Sequence, residues 1–357
     1  MTGRVVTGSG SGMANAESYG AGRTARVACV FASLAALLVI ALVANLCVGT
    51  VNVPVGQIVP ILMGRGAGET AYQVIWNIRL PRLCAAAILG GALGLAGLLL
   101  QTLFANPIAG PYTLGISSGA KLAVAVVMVL ILGDTQAMSS WMSLGAAFCG
   151  SLGAMAAVLA VSRRVRSAST LVIVGVMIGY VCSAATDVLI TFASDANIAN
   201  LRNWSLGSFS GVNTRQVALM AAVVLVASVA TFALSKPLGA YQLGESYAES
   251  MGVNVRSFRR TVIVIASVLA SCVTAFAGPI SFVGVAVPHV ARRLLGTSRP
   301  QLVVPATFLT GSVVCLGCDL LARMLFSPIE MPVSTLTAIV CAPVVIWVLL
   351  ERRGRVA

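Results

Sequence analysis

The sequence has little charge. Asp, Glu, Lys and Arg together make up 9% of its 357 residues, where globular domains carry about 25%. So few charges cannot cover a water-facing surface. That excludes a soluble enzyme domain, a disordered chain and a protein attached only to a membrane surface. Asp+Glu number 10 and there is a single histidine, which leaves little material for acid–base catalysis. No HExxH, GxSxG or carboxylate-rich metal cluster occurs. GISSGAK at 115–121 looks like a phosphate loop, but it fails the GxxxxGK[ST] spacing and opens an apolar segment. Any ATP use therefore falls to another chain. The nine cysteines are an odd count and sit in apolar runs, where thiols behave as small hydrophobes. No disulfide framework is expected. Cys315 and Cys318 have CxxC spacing but no second pair or nearby histidine to complete a metal site.

Apolar residues are abundant, at 58% of the chain, and mean hydropathy is +0.97. Apolar stretches fall at roughly 27–49, 82–104, 112–133, 140–162, 169–193, 215–235, 258–278, 281–295, 301–326 and 333–350. A bilayer crossing needs ~20 such residues. The pattern predicts an all-α polytopic membrane protein with about ten transmembrane helices. The eighth stretch is short and carries Pro288 and His289, so a broken or partly re-entrant helix is expected there. Residues 1–26 are rich in Gly, Ser and Ala and read as a disordered cytoplasmic tail. Residues 27–357 read as the transmembrane domain. The run at 27–49 is too long for a signal-peptide core and reads as an uncleaved first helix.

Lys+Arg 23 against Asp+Glu 10 leaves a net charge of +13. In a membrane protein this excess reads as the positive-inside bias rather than nucleic-acid binding. The larger clusters are Arg163, Arg164 and Arg166; Lys236, Arg256, Arg259 and Arg260; Arg292, Arg293 and Arg299; and Arg352, Arg353 and Arg355. Placing them inside puts both termini in the cytoplasm. Arg65, Arg79, Arg82, Arg202, Arg215 and Arg323 then fall outside and need another explanation.

AGPYTLG at 109–115 echoes AGPISFVG at 277–284. Under this topology the first lies at the inner face and the second at the outer face, as in an inverted repeat. Gly90 and Gly94 form a GxxxG pair, a spacing that lets helix backbones approach closely. Three ionisable groups fall within apolar spans: Lys121, Asp187 and Asp319. Asp319 is four residues before Arg323 and is expected to pair with it. Lys121 is placed to snorkel inward, and Asp187 has no assignable partner. The polar loop KPLGAYQLGESYAESMGVNVRS at 236–257 carries an apolar stripe of Ala240, Leu243, Tyr247 and Met251. It reads as a short helical hairpin presented to a cytoplasmic partner.

Several motifs coincide in order. RLPR at 79–82 leads into GGALGLAGLLLQTLFANPIAGPYTLGISSGA at 90–120. NWSLGSFSGV at 203–212, LGESYAESMGV at 243–253, AGPISFVGVAVPHVARRLLG at 277–296, CDLLAR at 318–323 and EMPVSTLTA at 330–338 follow. Each motif is weak alone, but the ordered set over about 28–353 closely resembles the FecCD-type permeases. These are membrane subunits of ATP-binding-cassette importers for iron–siderophore complexes, haem and cobalamin. The resemblance implies an inverted-repeat fold of ten helices that pairs with a second permease, the same or paralogous. It also implies two ATPase subunits using ATP and Mg, and an extracytoplasmic binding protein. This chain itself holds no cofactor or metal.

By the same resemblance, the hairpin at about 241–253 seats Leu243, Gly244, Glu245, Ala248, Glu249 and Gly252 in the ATPase cleft. Arg79, Arg82 and Arg323 face outward to receive carboxylates of the binding protein. Asn106, Pro107 and Pro111 form the tight turn after the second helix, and Pro288 and His289 form a structural PH pair. Ser167, Ser169 and Thr170 lie where a cytoplasmic gate would close. Three positions depart from the family pattern: Met251 for Leu, Cys318 before the Asp, and Lys121 at a usually uncharged site. A Lys121 facing the path would favour anionic substrates. The expected function is ferric siderophore import across the bacterial cytoplasmic membrane by alternating access. Haem or cobalamin import is the alternative. An ion-coupled secondary transporter would need a relay of intramembrane acids, for which Asp187 and Asp319 are thin support.

Overall fold

The computed structural model describes residues 10–49, 53–66, 70–133, 138–162, 168–327 and 329–353. For 10–23, 55, 162, 168–169, 348–349 and 351–353 it describes the backbone alone. The described residues form fourteen helices in chain order. They are α1 (Gly10–Cys47), α2 (Val55–Leu62), α3 (Thr70–Leu103), α4 (Ile116–Leu132), α5 (Ser140–Ser162), α6 (Ala168–Thr191) and α7 (Asp195–Ser205). Then come α8 (Thr214–Ala233), α9 (Ser235–Gln242), α10 (Glu245–Ser250), α11 (Val255–Ala277), α12 (Val283–Leu295), α13 (Pro300–Met324) and α14 (Val333–Arg353).

Each of the ten apolar stretches falls on a helix, but not all are long enough to cross. Among the described residues, seven helices have the length and composition of a membrane span, and two shorter apolar ones cover Ile116–Leu132 and Val333–Trp347. The eighth stretch becomes α12, with 13 residues, roughly 20 Å at 1.5 Å per residue. That is short of the ~30 Å hydrocarbon core. Two further differences stand out. The segment expected to be a disordered tail is helical from Gly10 onward, because extending an existing helix is far cheaper than nucleating one. Residues 1–9 lie outside the described residues. Helix α7 was not expected, since its sequence DANIANLRNWS is polar. It starts from Ser194, whose side chain accepts the Asn197 N–H, an N-cap.

Helix α3 is the centre of the bundle. In its most apolar window 83% of residues are buried, against α13, α11 and α12. Pro81 lacks the N–H that would bond back to residue 77, and the turn before it, Ile75–Arg79, widens to π geometry. Glycines then set the packing distance. A Cβ on Gly90 would lie 2.5 Å from the Gly311 carbonyl oxygen, and one on Gly311 would lie 2.3 Å from that of Gly90. A Cβ on Gly97 would lie 1.6 Å from the Gly284 oxygen. The small-residue stripe thus brings α3 against both α13 and the start of α12, as its spacing predicted.

The two echoed Ala-Gly-Pro segments meet inside the bundle. The Ile280 N–H donates to the Tyr112 hydroxyl at 3.1 Å, and a Cβ on Gly284 would touch Pro111 at 2.9 Å. The expectation that they lie at opposite membrane faces is therefore corrected. Hydropathy fixes which residues avoid water but not how deep a chain break sits. Two non-glycine residues with positive φ, Ala105 (φ 46) and Phe282 (φ 63), flank these breaks. Such a backbone persists only where its surroundings over-determine it.

Replacing Gly97 with Ala should therefore destabilise the protein by about 3 kcal/mol or more. Gly153→Ala, where nothing stands within 4 Å, should be near neutral. Thermal unfolding of both variants in detergent measures the difference.

Candidate functional site

Two regions gather the side chains singled out by the sequence. The first is an ion cluster at one end of α3. Arg82 Nε–H donates to Asp319 Oδ1 at 3.0 Å and Oδ2 at 3.2 Å. Its Nη1 donates to both oxygens of Glu330, at 3.0 and 2.9 Å. Arg323 Nε stands 3.4 Å from Asp319 Oδ2, and its Nη2 donates to Asn45 Oδ1. Arg79 donates to the carbonyls of Leu46 and Cys47, closing the C-terminal end of α1, where carbonyls lack helical partners. Asp319 is fully buried, while the Glu330 side chain is 48% exposed.

The three arginines expected to face outward are engaged within the chain. Arg79, Arg82 and Arg323 are committed to partners within the chain, and Arg79 and Arg82 are buried. Buried guanidinium ions must be paired and hydrogen-bonded. The expected Asp319–Arg323 pair forms, but Arg82 holds Asp319 more closely. Glu330 was missed as a site residue. Its signal was the imbalance of three arginines against one acid, in segments that share one end of the bundle.

The turn after α3 is tied to α12. Asn106 Oδ1 accepts the Ile108 N–H at 3.1 Å. His289 Nε2 lies 2.8 Å from the Pro107 carbonyl oxygen, so this histidine is hydrogen-bonded, as expected. Pro111 packs on Gly284, and Pro288 is buried within α12. Gln101 donates to the Val285 carbonyl at 2.9 Å and accepts from Arg292 at 3.3 Å. Arg26 of α1 donates to the carbonyls of Leu294 and Arg293 at 3.1 and 3.0 Å, capping the C-terminus of α12. Arg293 stacks over Trp347 at 3.7 Å from the ring centroid.

The second region is the hairpin. Helices α9 and α10 turn at Gly244, whose φ of 125° only glycine adopts without strain, and α10 ends before Gly252 at φ 82°. Tyr241 anchors it, with its ring 5.1 Å from Phe258 and its hydroxyl donating to the Leu103 carbonyl at 3.4 Å. Arg259 Nη2 donates to Glu245 Oε2 at 2.5 Å. Leu243, Tyr247 and Met251 are 70%, 46% and 63% exposed. Glu249 is exposed, but Ala248 is fully buried. Its expected contact with a partner is therefore corrected: it is buried against its own chain, about a quarter turn round the helix from the exposed stripe. Tyr247 and Met251, visible as part of that stripe, are exposed where Ala248 is not.

The remaining candidates do not join either region. Lys121 is half-buried on α4 and Asp187 exposed on α6. Ser167 lies outside the described residues, as does the Ser169 side chain, and Thr170 is exposed at the start of α6. Besides these, α5, α7, α8 and α11 border an open pocket of about 430 Å³ lined by Ser140, Asn200, Trp204 and Phe276.

A broken half-helix locked inside a multi-span bundle, with an exposed apolar hairpin, defines a membrane transport subunit. Residues 37–351 match the FecCD transport family, and the chain belongs to that family of importer permeases. It is 35% identical over 322 residues to the vitamin B12 import system permease protein BtuC of Klebsiella pneumoniae subsp. pneumoniae, covering 90% of this chain and 93% of that one. BtuC of Citrobacter koseri is 35% identical over 324 residues, covering 90% and 94%. A metal-chelate type ABC transporter solved in an inward-facing conformation superposes with a TM-score of 0.80 at 29% identity, covering 91% of this chain and 99% of that one. PsaBC from Streptococcus pneumoniae shares the fold at a TM-score of 0.53 and 16% identity, covering 81% and 94%.

Asp319→Asn leaves Arg82 and Arg323 buried beside a neutral group and should cost about 3–5 kcal/mol. Glu330→Gln at the half-exposed end should cost about 1 kcal/mol or less. Denaturation of the two variants in detergent separates them.

Proposed function

We propose that this chain forms the cargo path of an ATP-driven importer in the bacterial cytoplasmic membrane, with both termini cytoplasmic. The exposed stripe of Leu243, Tyr247 and Met251 carries this reading. Three apolar side chains held out from a rigid hairpin are an unfilled contact, and each would contribute about 1.5–3 kcal/mol if a partner covered it. Two ATPase subunits, using ATP and Mg, fit that contact. Glu249 and the turn glycines Gly244 and Gly252 border it, and the Glu245–Arg259 pair transmits hairpin movement to α11. A second permease, identical or paralogous, completes the path. An extracytoplasmic binding protein delivers the cargo, and Glu330, the exposed member of the arginine cluster, is the group it would meet first. Thr170 is kept as a gate residue.

The cargo reading is a ferric siderophore. A bulky chelate suits a path with few charged groups, and the relative solved as a metal-chelate type transporter favours that class. Cobalamin is the second reading, favoured by the BtuC relatives. Neither cargo needs a metal site in this chain, because the metal stays inside its chelate.

In proteoliposomes holding the co-purified complex, Leu243→Asp should lower ATP-dependent uptake at least about tenfold, the loss of about 1.4 kcal/mol of coupling. Uptake driven by a proton gradient without nucleotide would overturn the reading. Stimulation of ATPase activity by ferric siderophores or by cobalamin separates the two cargoes.

A further inference from the structure

Lys121 and Asp187 stand apart from the charges already described. Both lie within apolar helices, and among the described residues neither forms an ion pair. Their helices run side by side in the same direction. A Cβ on Gly175 would touch Leu114, one on Gly115 would touch Gly175 and Gly179, and one on Gly179 would stand 3.7 Å from Ser118 Oγ. The register rises together along both chains.

Helix α6 packs through Leu171, Gly175, Gly179 and Thr186 and exposes the opposite side. At 100° per residue that exposed side divides into two edges. One edge is apolar: Met177, Val181, Val188 and Phe192. The other is Tyr180, Ser183 and Asp187, all exposed. This polar edge adjoins Gly179 and therefore Ser118 of α4. Lys121 is three residues beyond Ser118, on the same side of α4. Counting helical rise from the Ser118–Gly179 contact puts the two charges roughly 7 Å apart along the helices. The result is a polar seam with one cation and one anion, beside an apolar edge suited to lipid.

A carboxylate on an exposed intramembrane helix face belongs to a water-filled path rather than to hydrocarbon. We propose that this α4–α6 seam lines the cargo path, and that Lys121 and Asp187 balance its charge so that uncharged chelates pass in preference to anionic or cationic ones. The proposal rests on the importer reading above and specifies its substrate class. One cation and one anion on the same seam leave it without net charge, so a neutral chelate bearing amide or hydroxamate groups is tolerated. A net charge of either sign meets one like charge.

Uptake of three ferric trihydroxamates of equal size, with net charges of −1, 0 and +1, tests the charge balance in the reconstituted complex. Asp187→Asn should raise anionic relative to neutral uptake about fivefold or more, and Lys121→Gln should do the same for the cationic chelate. Ratios unchanged in both variants, or shifted in the same direction, overturn the proposal. Labelling with a membrane-impermeant sulfonate thiol reagent needs no cargo. Ser183→Cys and Asp187→Cys should react above the parent background, and Val181→Cys should not. Equal labelling of both edges, or none on the polar edge, overturns the seam even where transport is normal. Absence of ATP-driven uptake of every chelate and of cobalamin by the parent complex, with the labelling pattern intact, would instead count against the importer reading.

Discussion

The close approach of α3 to α12 is the contact on which the rest of the architecture depends. A half-helix that starts inside a membrane exposes backbone donors and acceptors that lipid cannot satisfy. Its break must be enclosed by protein. Gly97 and Gly284 let the two backbones come within a distance that no side chain would permit. That contact brings Tyr112 to the Ile280 N–H, Gln101 to the Val285 carbonyl and His289 to the Pro107 carbonyl. Polar atoms freed by one chain break are thus satisfied by residues of the other, and each break explains the strain in its partner.

Arginine seals what the glycines leave open. The C-terminal carbonyls of a helix have no internal partner, and a guanidinium suits them in charge and geometry. Arg79 closes α1, and Arg26, carried by α1, closes α12. The apolar part of the first helix, Thr24–Cys47, is hardly buried and is thereby fixed at both of its ends. At the Arg79 end the same residue type gathers Asp319, Glu330 and Asn45, tying α1, α3 and α13 to the segment that leads into α14. Ion pairs out of water are retained when every partner is present and fail when one is removed, so the cluster acts as a unit.

Much of this was legible in the sequence. Long apolar runs marked the helices, because membrane insertion depends on summed hydropathy. The stripe of Leu243, Tyr247 and Met251 marked the hairpin, because period alone places those residues on one side. The GxxxG spacing marked a close helix contact. What could not be read was depth and pairing. The two Ala-Gly-Pro echoes were placed on opposite faces because loop charges orient whole helices and carry no information on where a break lies. The partners of Arg82 are not legible because Asp319 and Glu330 are more than two hundred residues away in sequence, and only tertiary structure brings them to it. Ala248 was misplaced by one helical side, since a six-residue helix fixes its rotation through packing rather than through pattern. Polar α7 had no apolar period to reveal it.

The contrast between paired and unpaired charges separates structure from transport. Placing a charged side chain at a membrane helix centre costs about 2.5–3.5 kcal/mol on insertion scales. Arg82, Asp319 and Arg323 offset that cost with one another, which makes them expensive to change and leaves them no freedom to bind. Among the described residues, Lys121 and Asp187 have no such compensation. Water must supply it, and water enters a membrane bundle only where a path exists. A chain with so few charges would not keep two of them unpaired on adjacent helices for the sake of packing, since an apolar residue would pack as well without the cost. Their placement therefore points to the wetted surface of the bundle, and so to the side of α4 and α6 along which the proposed cargo would move.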